Sequence, residues 1–214
     1  MLVIFLQIIL LACHESIEHK AENPASYVNE QNKPVGGGCD GCELIFTGMP
    51  AQINPVDTSV AWHEKGQKLL VTGVVLKPDG RTPASNIIVY YYHTDHTGHY
   101  SKGNKPTDQT LHGRIRGWVK TDLNGRYAIY TSRPVPYPGN NIPAHIHIIV
   151  KEPGINEYYI DEFVFDDDTL LTDSKRRALE NRGGSGILRV VNSGNTKMAE
   201  HNIQLGLNIP NYPK

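Results

Sequence analysis

A chain of 214 residues is long enough to bury one sizeable core, and a single β-sandwich domain reaches this length without a second core. Its 21 Lys and Arg balance 22 Asp and Glu for a formal net charge of −1, which removes the electrostatic ground for a nucleic-acid or anionic-membrane partner and leaves a small molecule as the expected one. Gly (20), Pro (14) and Tyr (11) are frequent, a composition suited to turns and β-structure.

The first twelve residues, MLVIFLQIILLA, are almost wholly apolar and end at Cys13, where the chain turns polar with HESIEHKAENPAS. This run is too short to span a bilayer and suits the apolar region of an export signal. LLAC also resembles the bacterial lipobox, in which cleavage before the cysteine leaves a lipidated N-terminus, although no Lys or Arg stands near Met1. The expectation is an exported protein, periplasmic or at the cell surface, meeting a membrane only through a lipid on Cys13. A buried N-terminal strand is the alternative. Residues 13–38 are polar, close in KPVGGG, and read as a flexible tether.

Cys39 and Cys42 follow in GGGCDGCE. Two cysteines cannot complete a zinc site and no βαβ pattern follows them, so a local structural disulfide is the plainer reading in an oxidising compartment. The domain is expected over residues 39–214, its core starting near AWHEKGQ. Strands are expected at LLVTGVVL, NIIVYYYHT, RGWVKTD, GRYAIYTS, AHIHIIV and DEFVFDD, with ILRVVN and NIQLGL closing the sheets. These runs are β-branched or aromatic and are separated by the turn signals KPDGRTP, DLNG and YPGNN. Only TDSKRRALENRGG reads as a helix, capped by Thr172 or Asp173 and stopped at Gly183. The fold class is therefore all-β, a transthyretin- or prealbumin-like β-sandwich with one short helix and long loops.

That sandwich pattern carries no chemistry by itself. The residues that do are Tyr100 in HTGHY, Tyr137 in PVPYPG, and His145 and His147 in PAHIH. In a strand, His145 and His147 share a face and Ile146 points the other way. Taken singly, each reads as a strand histidine or a rim tyrosine.

Taken in order, they resemble the intradiol ring-cleavage dioxygenases, the protocatechuate and catechol dioxygenase family. The family's GRY, PYP and PAHIH elements stand here as GHY, PYP and PAHIH, and its TDxxGxYxFxT strand pair as TDLNGRYAIYT. The likeness runs from about Leu69 to Asp168. It implies a non-haem Fe(III) held by Tyr100, Tyr137, His145 and His147. The chemistry agrees, because a phenol with a pKa of about 10 binds metal as phenolate only when a strong Lewis acid drives the proton off, and hard anionic oxygens with imidazoles suit ferric iron. The likeness further implies that a catechol-type diol binds through both oxygens, that Tyr137 is displaced and takes up a substrate proton, and that O₂ is inserted between the hydroxyl-bearing carbons to give a muconate-type dicarboxylate.

The chain also departs from the family. Ile142 stands where RPAHIH has its arginine, and that cation is thought to stabilise charge developing on the ring. Glu162 stands where TQLYFEGD has glutamine, and Tyr92 where the protocatechuate enzymes have a tryptophan on the pocket wall. Arg114 or Arg116 could supply the lost cation from another strand. An iron- or catechol-binding protein without turnover, and a metal-free interaction module, are the competing functions, and a homo-oligomer is one of the assemblies the sequence allows. His93, His96 and His99 read as solvent-facing, Asp166, Asp167 and Asp168 as a solvated turn, and Lys175, Arg176 and Arg177 as a solvated helix face.

Overall fold

A computed structural model describes residues 33–213. The apolar run 1–12, Cys13 and the first part of the expected tether lie outside the described residues. Among the described residues, no helix is long and apolar enough to cross a membrane.

Two six-stranded sheets face each other. The first is ordered β1 (Val56–Thr58), β5 (Arg126–Ser132), β2 (Lys68–Leu76), β11 (Thr196–Glu200), β10 (Val190–Ser193), with β12 (Ile203–Gln204) also on β2. The second is ordered β4 (Arg116–Lys120), β3 (Ile88–Tyr92), β6 (His145–Lys151), β8 (Phe163–Phe165), β9 (Ile187–Leu188), with β7 (Tyr158–Tyr159) on β6. Along β2, buried and half-buried residues alternate, as a strand with one face on a core requires. Leu69, Val71 and Val75 meet Val89, Tyr91, Ile146, Ile148, Val150 and Phe163 in the layer between the sheets.

The outer face of the second sheet is covered locally. Cys42 and Ile45, in a single 3₁₀ turn (Cys42–Phe46), pack on Tyr90 and Ile149, with Tyr92 and Trp118 at the margin. The Trp118 indole N–H donates to the Ile45 carbonyl at 2.7 Å. Burial of this small cluster pins residues 39–46 to the sheet beside His147. Ordered packing begins earlier than the expected tether boundary: Val35 packs on the main core, and the Gly36 N–H donates to the Pro210 carbonyl at 2.7 Å.

Three short strands, β1, β7 and β11, escape the sequence reading, since VDT, YY and TKMAE carry little apolar alternation and are made by pairing with β5, β6 and β2. The helix is shorter than expected. It spans Asp173–Arg177, and the Thr172 hydroxyl accepts from the Lys175 N–H at 3.4 Å. Beyond it, the Asp161 carboxylate accepts the N–H groups of Asn181 (2.8 Å) and Arg182 (3.1 Å), and this long-range capture overrides the local propensity of ALENR.

Burial lowers the imidazoles of His93, His112 and His201 from 6.5 to about 4. Each is neutral when folded and gains a proton on unfolding between those two values, so its contribution is whole above the unfolded pKa and is lost as pH falls toward the folded one. The urea midpoint should therefore fall between about pH 7 and about pH 4.5, and His201→Gln should flatten that slope. Equal slopes for the two proteins would contradict the assignment to His201.

Candidate metal centre

The strand β6 does what its alternation dictates: Ile146, Ile148 and Val150 enter the core, and His145 and His147 share the outer face. Two loops bring the phenols to them, Tyr100 after β3 and Tyr137 after β5. The Tyr137 hydroxyl lies 3.1 Å from His145 Nε2, the Tyr100 hydroxyl 2.7 Å from His147 Nε2, and the two phenol oxygens 2.5 Å apart. The four residues singled out from the sequence thus converge on one point.

The outward side of each ring is held by the protein. His145 Nδ1–H donates to the Pro143 carbonyl at 2.7 Å, and His147 Nδ1 pairs with Glu162 Oε1 at 2.8 Å. With each Nδ1 committed, both Nε2 lone pairs face the phenols, which is how protein-bound metal ligands are oriented. Burial lowers His145, which keeps it neutral and able to ligate. Burial and the hydrogen bond from Tyr137 push the Tyr100 phenol well up, and burial raises Tyr137. Without a Lewis acid, neither phenol ionises near neutral pH. Two phenolates and two imidazoles are a donor set that fits iron.

A group of His145, His147 and Glu162 also has ligating atoms within 4.8 Å of one another. Glu162 nonetheless bonds the Nδ1 side of His147, away from the phenols, so its geometry is that of a partner orienting the ring. Despite burial, which raises it, the Glu162 carboxyl is held low by its hydrogen bond and charge interaction with His147.

The loops that carry the tyrosines are locked to each other. Thr94 Oγ1 donates to the Val135 carbonyl at 2.9 Å. Gly98, at φ +81°, lies so close to the second loop that a Cβ there would sit 2.4 Å from the Pro136 carbonyl oxygen. Asp168 fixes the entry to β6, its carboxylate accepting the Ala144 N–H at 2.8 Å.

Tyr92 is sandwiched between His147 (centroids 4.4 Å) and His112 (3.6 Å), with both pairs stacked. His112 also pairs with the Tyr90 hydroxyl at 2.9 Å. Sequence reading missed His112, because LHG carries no periodic signal and the ring reaches the site only through the stack. A cleft of about 290 Å³ opens on His147, Tyr92 and Glu162, with Asp40 and Tyr159 on its other sides. Cys39 and Cys42 are joined by a disulfide, their Cα atoms 5.6 Å apart, so the turn forms part of the cleft rim.

The lost arginine is not replaced by either expected cation. Arg114 makes a two-point ion pair with Glu64 at 2.5 and 2.8 Å. Arg116 donates to the Thr107 carbonyl at 2.5 Å and stacks on Trp118. Ile142 itself is 42% exposed.

Three surface readings need correction. His93 is buried, not solvent-facing, because Thr131 Oγ1 (2.8 Å) and the Thr94 carbonyl (2.7 Å) satisfy both ring nitrogens; His96 and His99 are exposed. The aspartate run does lie in a turn with Asp167 exposed, but its carboxylates are engaged: Asp166 accepts the Val190 N–H, Asp167 pairs with Arg133 and Lys197, and Asp168 holds Ala144. Arg177 is exposed as expected, whereas Lys175 and Arg176 reach back to the carbonyls of Asn141 and Asp166 and tie loops to the helix.

Known proteins resemble this chain in sequence and in fold. Catechol 1,2-dioxygenase 2 of Acinetobacter lwoffii is 29% identical over 110 residues, 44% of this chain and 38% of the relative. The protocatechuate 3,4-dioxygenase beta chain of Burkholderia cepacia is 30% identical over 115 residues, 50% of this chain and 48% of the relative. The match therefore spans less than half the length of these relatives. The fold is shared with hydroxyquinol 1,2-dioxygenase from Pseudomonas putida DLL-E4, at TM-score 0.54 and 23% identity over 73% of this chain and 61% of that one. It is shared too with the dioxygenase domain of a carbohydrate-binding fusion from Streptomyces sp. SirexAA-E, at TM-score 0.53 and 17% identity over 73% of this chain and 91% of that domain. A family model described as Dioxygenase matches residues 45–207, and the chain belongs to the intradiol dioxygenase family.

Proposed function

We propose that the protein is a non-haem Fe(III) intradiol dioxygenase that inserts both atoms of O₂ into a catechol-type aromatic, breaking the bond between the hydroxyl-bearing carbons to give a muconate-type dicarboxylate. The observation that carries this reading is the convergence of Tyr100, Tyr137, His145 and His147, with both Nδ1 atoms committed to other partners. When bound, iron supplies Lewis acidity and a route for electrons between diol and O₂. Tyr100, Tyr137, His145 and His147 would hold the iron, and Tyr137, whose hydroxyl lies 3.1 Å from His145 Nε2, would accept a diol proton at its phenolate oxygen. Tyr92 and Glu162 bound the cleft and keep His147 oriented.

We also place the protein outside the reducing cytoplasm, as an exported chain. The Cys39–Cys42 disulfide and the apolar run ending at Cys13 support this.

Iron-loaded full chain should show a visible tyrosinate-to-iron band, consume O₂ with catechol and yield the ring-opened dicarboxylate. A colourless protein that retains no iron would refute the reading. A catechol-induced band change without ring-opened product would leave a binding protein in place of an enzyme.

A further inference from the structure

The CDGC turn plays no part in holding the metal, yet the fold brings it to the cleft beside His147. Cys42 and Ile45 anchor it on Tyr90 and Ile149, and the disulfide closes it across a sequence separation of 3. The residue presented between the two cysteines is Asp40, which is exposed and lines the cleft. Among the described residues it has no hydrogen-bond or ion-pair partner. Across the cleft stands Glu162, whose side chain is 43% exposed and engages His147 through Oε1 alone.

No Lys or Arg lines this cleft. The Arg182 guanidinium stacks behind the Tyr159 ring at 3.7 Å and donates to the Gly36 carbonyl, contributing nothing to the lining. Ile142 removes the cation that the family places nearby, and Arg114 and Arg116 are committed elsewhere. The acidic groups on the cleft wall are thus Asp40 and Glu162, set among Tyr92, Tyr159 and three isoleucines. A carboxylate on a bound ring would meet repulsion there, and an ammonium would meet Asp40 and the Glu162 oxygen that His147 does not engage.

We propose that this site selects catechols whose ring substituent ends in a protonated amine, and that Asp40, held at the rim by the disulfide turn, is a specificity-determining residue for them. The inference rests on the dioxygenase reading above and adds the substrate class to it. The cleft adjoins the donor cluster at His147 and at Tyr92, which stacks on that ring, and in this proposal it receives the substituent of a ring bound at the cluster. The disulfide makes the selection effective, because a carboxylate on a fixed turn loses little side-chain freedom when it pairs.

The test uses iron-loaded full chain under anaerobic conditions, with binding read from the visible band. The probes are 4-(2-aminoethyl)catechol, 4-methylcatechol and 3,4-dihydroxyphenylacetate, a cationic, a neutral and an anionic ligand. The cationic probe should bind about tenfold more tightly than the anionic one at low salt, with the gap narrowing at high salt. Asp40→Asn should shrink that ratio by about threefold and Asp40→Lys should invert it, with 4-methylcatechol affinity unchanged. Quantitation of free thiols checks that the turn stays oxidised in both variants. If 4-methylcatechol binds and is cleaved but the charge ratio is unaffected by Asp40, this inference fails and the dioxygenase reading stands. If none of the three binds, both fail.

Discussion

His147→Ala is expected to reduce retained iron to trace levels and to lower ring cleavage by about 1,000-fold or more, beyond the 10–100-fold typical of losing a ligand's orienting partner. The ring is the junction of the site: its Nε2 faces the Tyr100 phenol at 2.7 Å, its Nδ1 holds Glu162 at 2.8 Å, and its face stacks on Tyr92. Removing it takes away one donor and leaves Tyr100 and Glu162 without their partner. A neighbouring water can replace a ligand, but it cannot also orient the carboxylate. Iron per chain and the intensity of the visible band measure the effect directly. His147 is half-buried on the outer face of β6, so the thermal midpoint of the metal-free protein should move by only a few degrees, which separates loss of the centre from loss of the fold. His99→Ala, at an exposed position on the Tyr100 loop, should leave both iron and activity in place. Equal iron retention in His147→Ala and the parent would remove this residue from the centre.

The contrast between these two histidines shows what the sequence made legible. His145 and His147 were readable because strand alternation alone fixes their common face, and the order Tyr100, Tyr137, His145, His147 was readable because the flanking GHY, PYP and PAHIH elements are local. The sheets were readable for the same reason: β2, β3, β5 and β6 announce themselves by period and turn. What was hidden depends on partners distant in sequence. His93 looked solvent-facing in a polar run, yet Thr131, 38 residues on, satisfies it in the interior. Asp168 looked like the end of a solvated turn, yet it holds the backbone that launches the ligand strand. His112 carried no signal until β3 and β6 placed Tyr92 between two imidazole rings. The CDGC turn was read as a structural staple, and only the fold puts its aspartate on the wall of the cleft. Charge at the site was the least legible property, because Arg114 and Arg116 differ from a catalytic cation only in being already paired.

That charge balance makes Glu162 the second residue with a large expected effect. Glu162→Ala should weaken iron binding by about 10–100-fold, the usual cost of removing an acceptor from the far nitrogen of a ligating imidazole. Two causes add. The His147 ring loses the contact that fixes its tautomer and its angle, and it loses the anion that makes Nε2 a stronger donor. Glu162→Gln separates them, since an amide oxygen still accepts from Nδ1–H but carries no charge. The Gln variant should retain iron within a few-fold of the parent while its visible band shifts, because a less basic His147 leaves the ferric state less stabilised. With Ile142 in place of a cation, no Lys or Arg among the described residues lines the cleft beside Glu162, so the carboxylate acts chiefly on His147. Ile142→Arg should therefore pair with Glu162 and reproduce part of the Gln band shift without any change at residue 162. A Gln variant indistinguishable from Ala would show that the charge, and not the hydrogen bond, holds the ring. Identical iron affinity in all three proteins would show that His147 is oriented by its stack on Tyr92 alone.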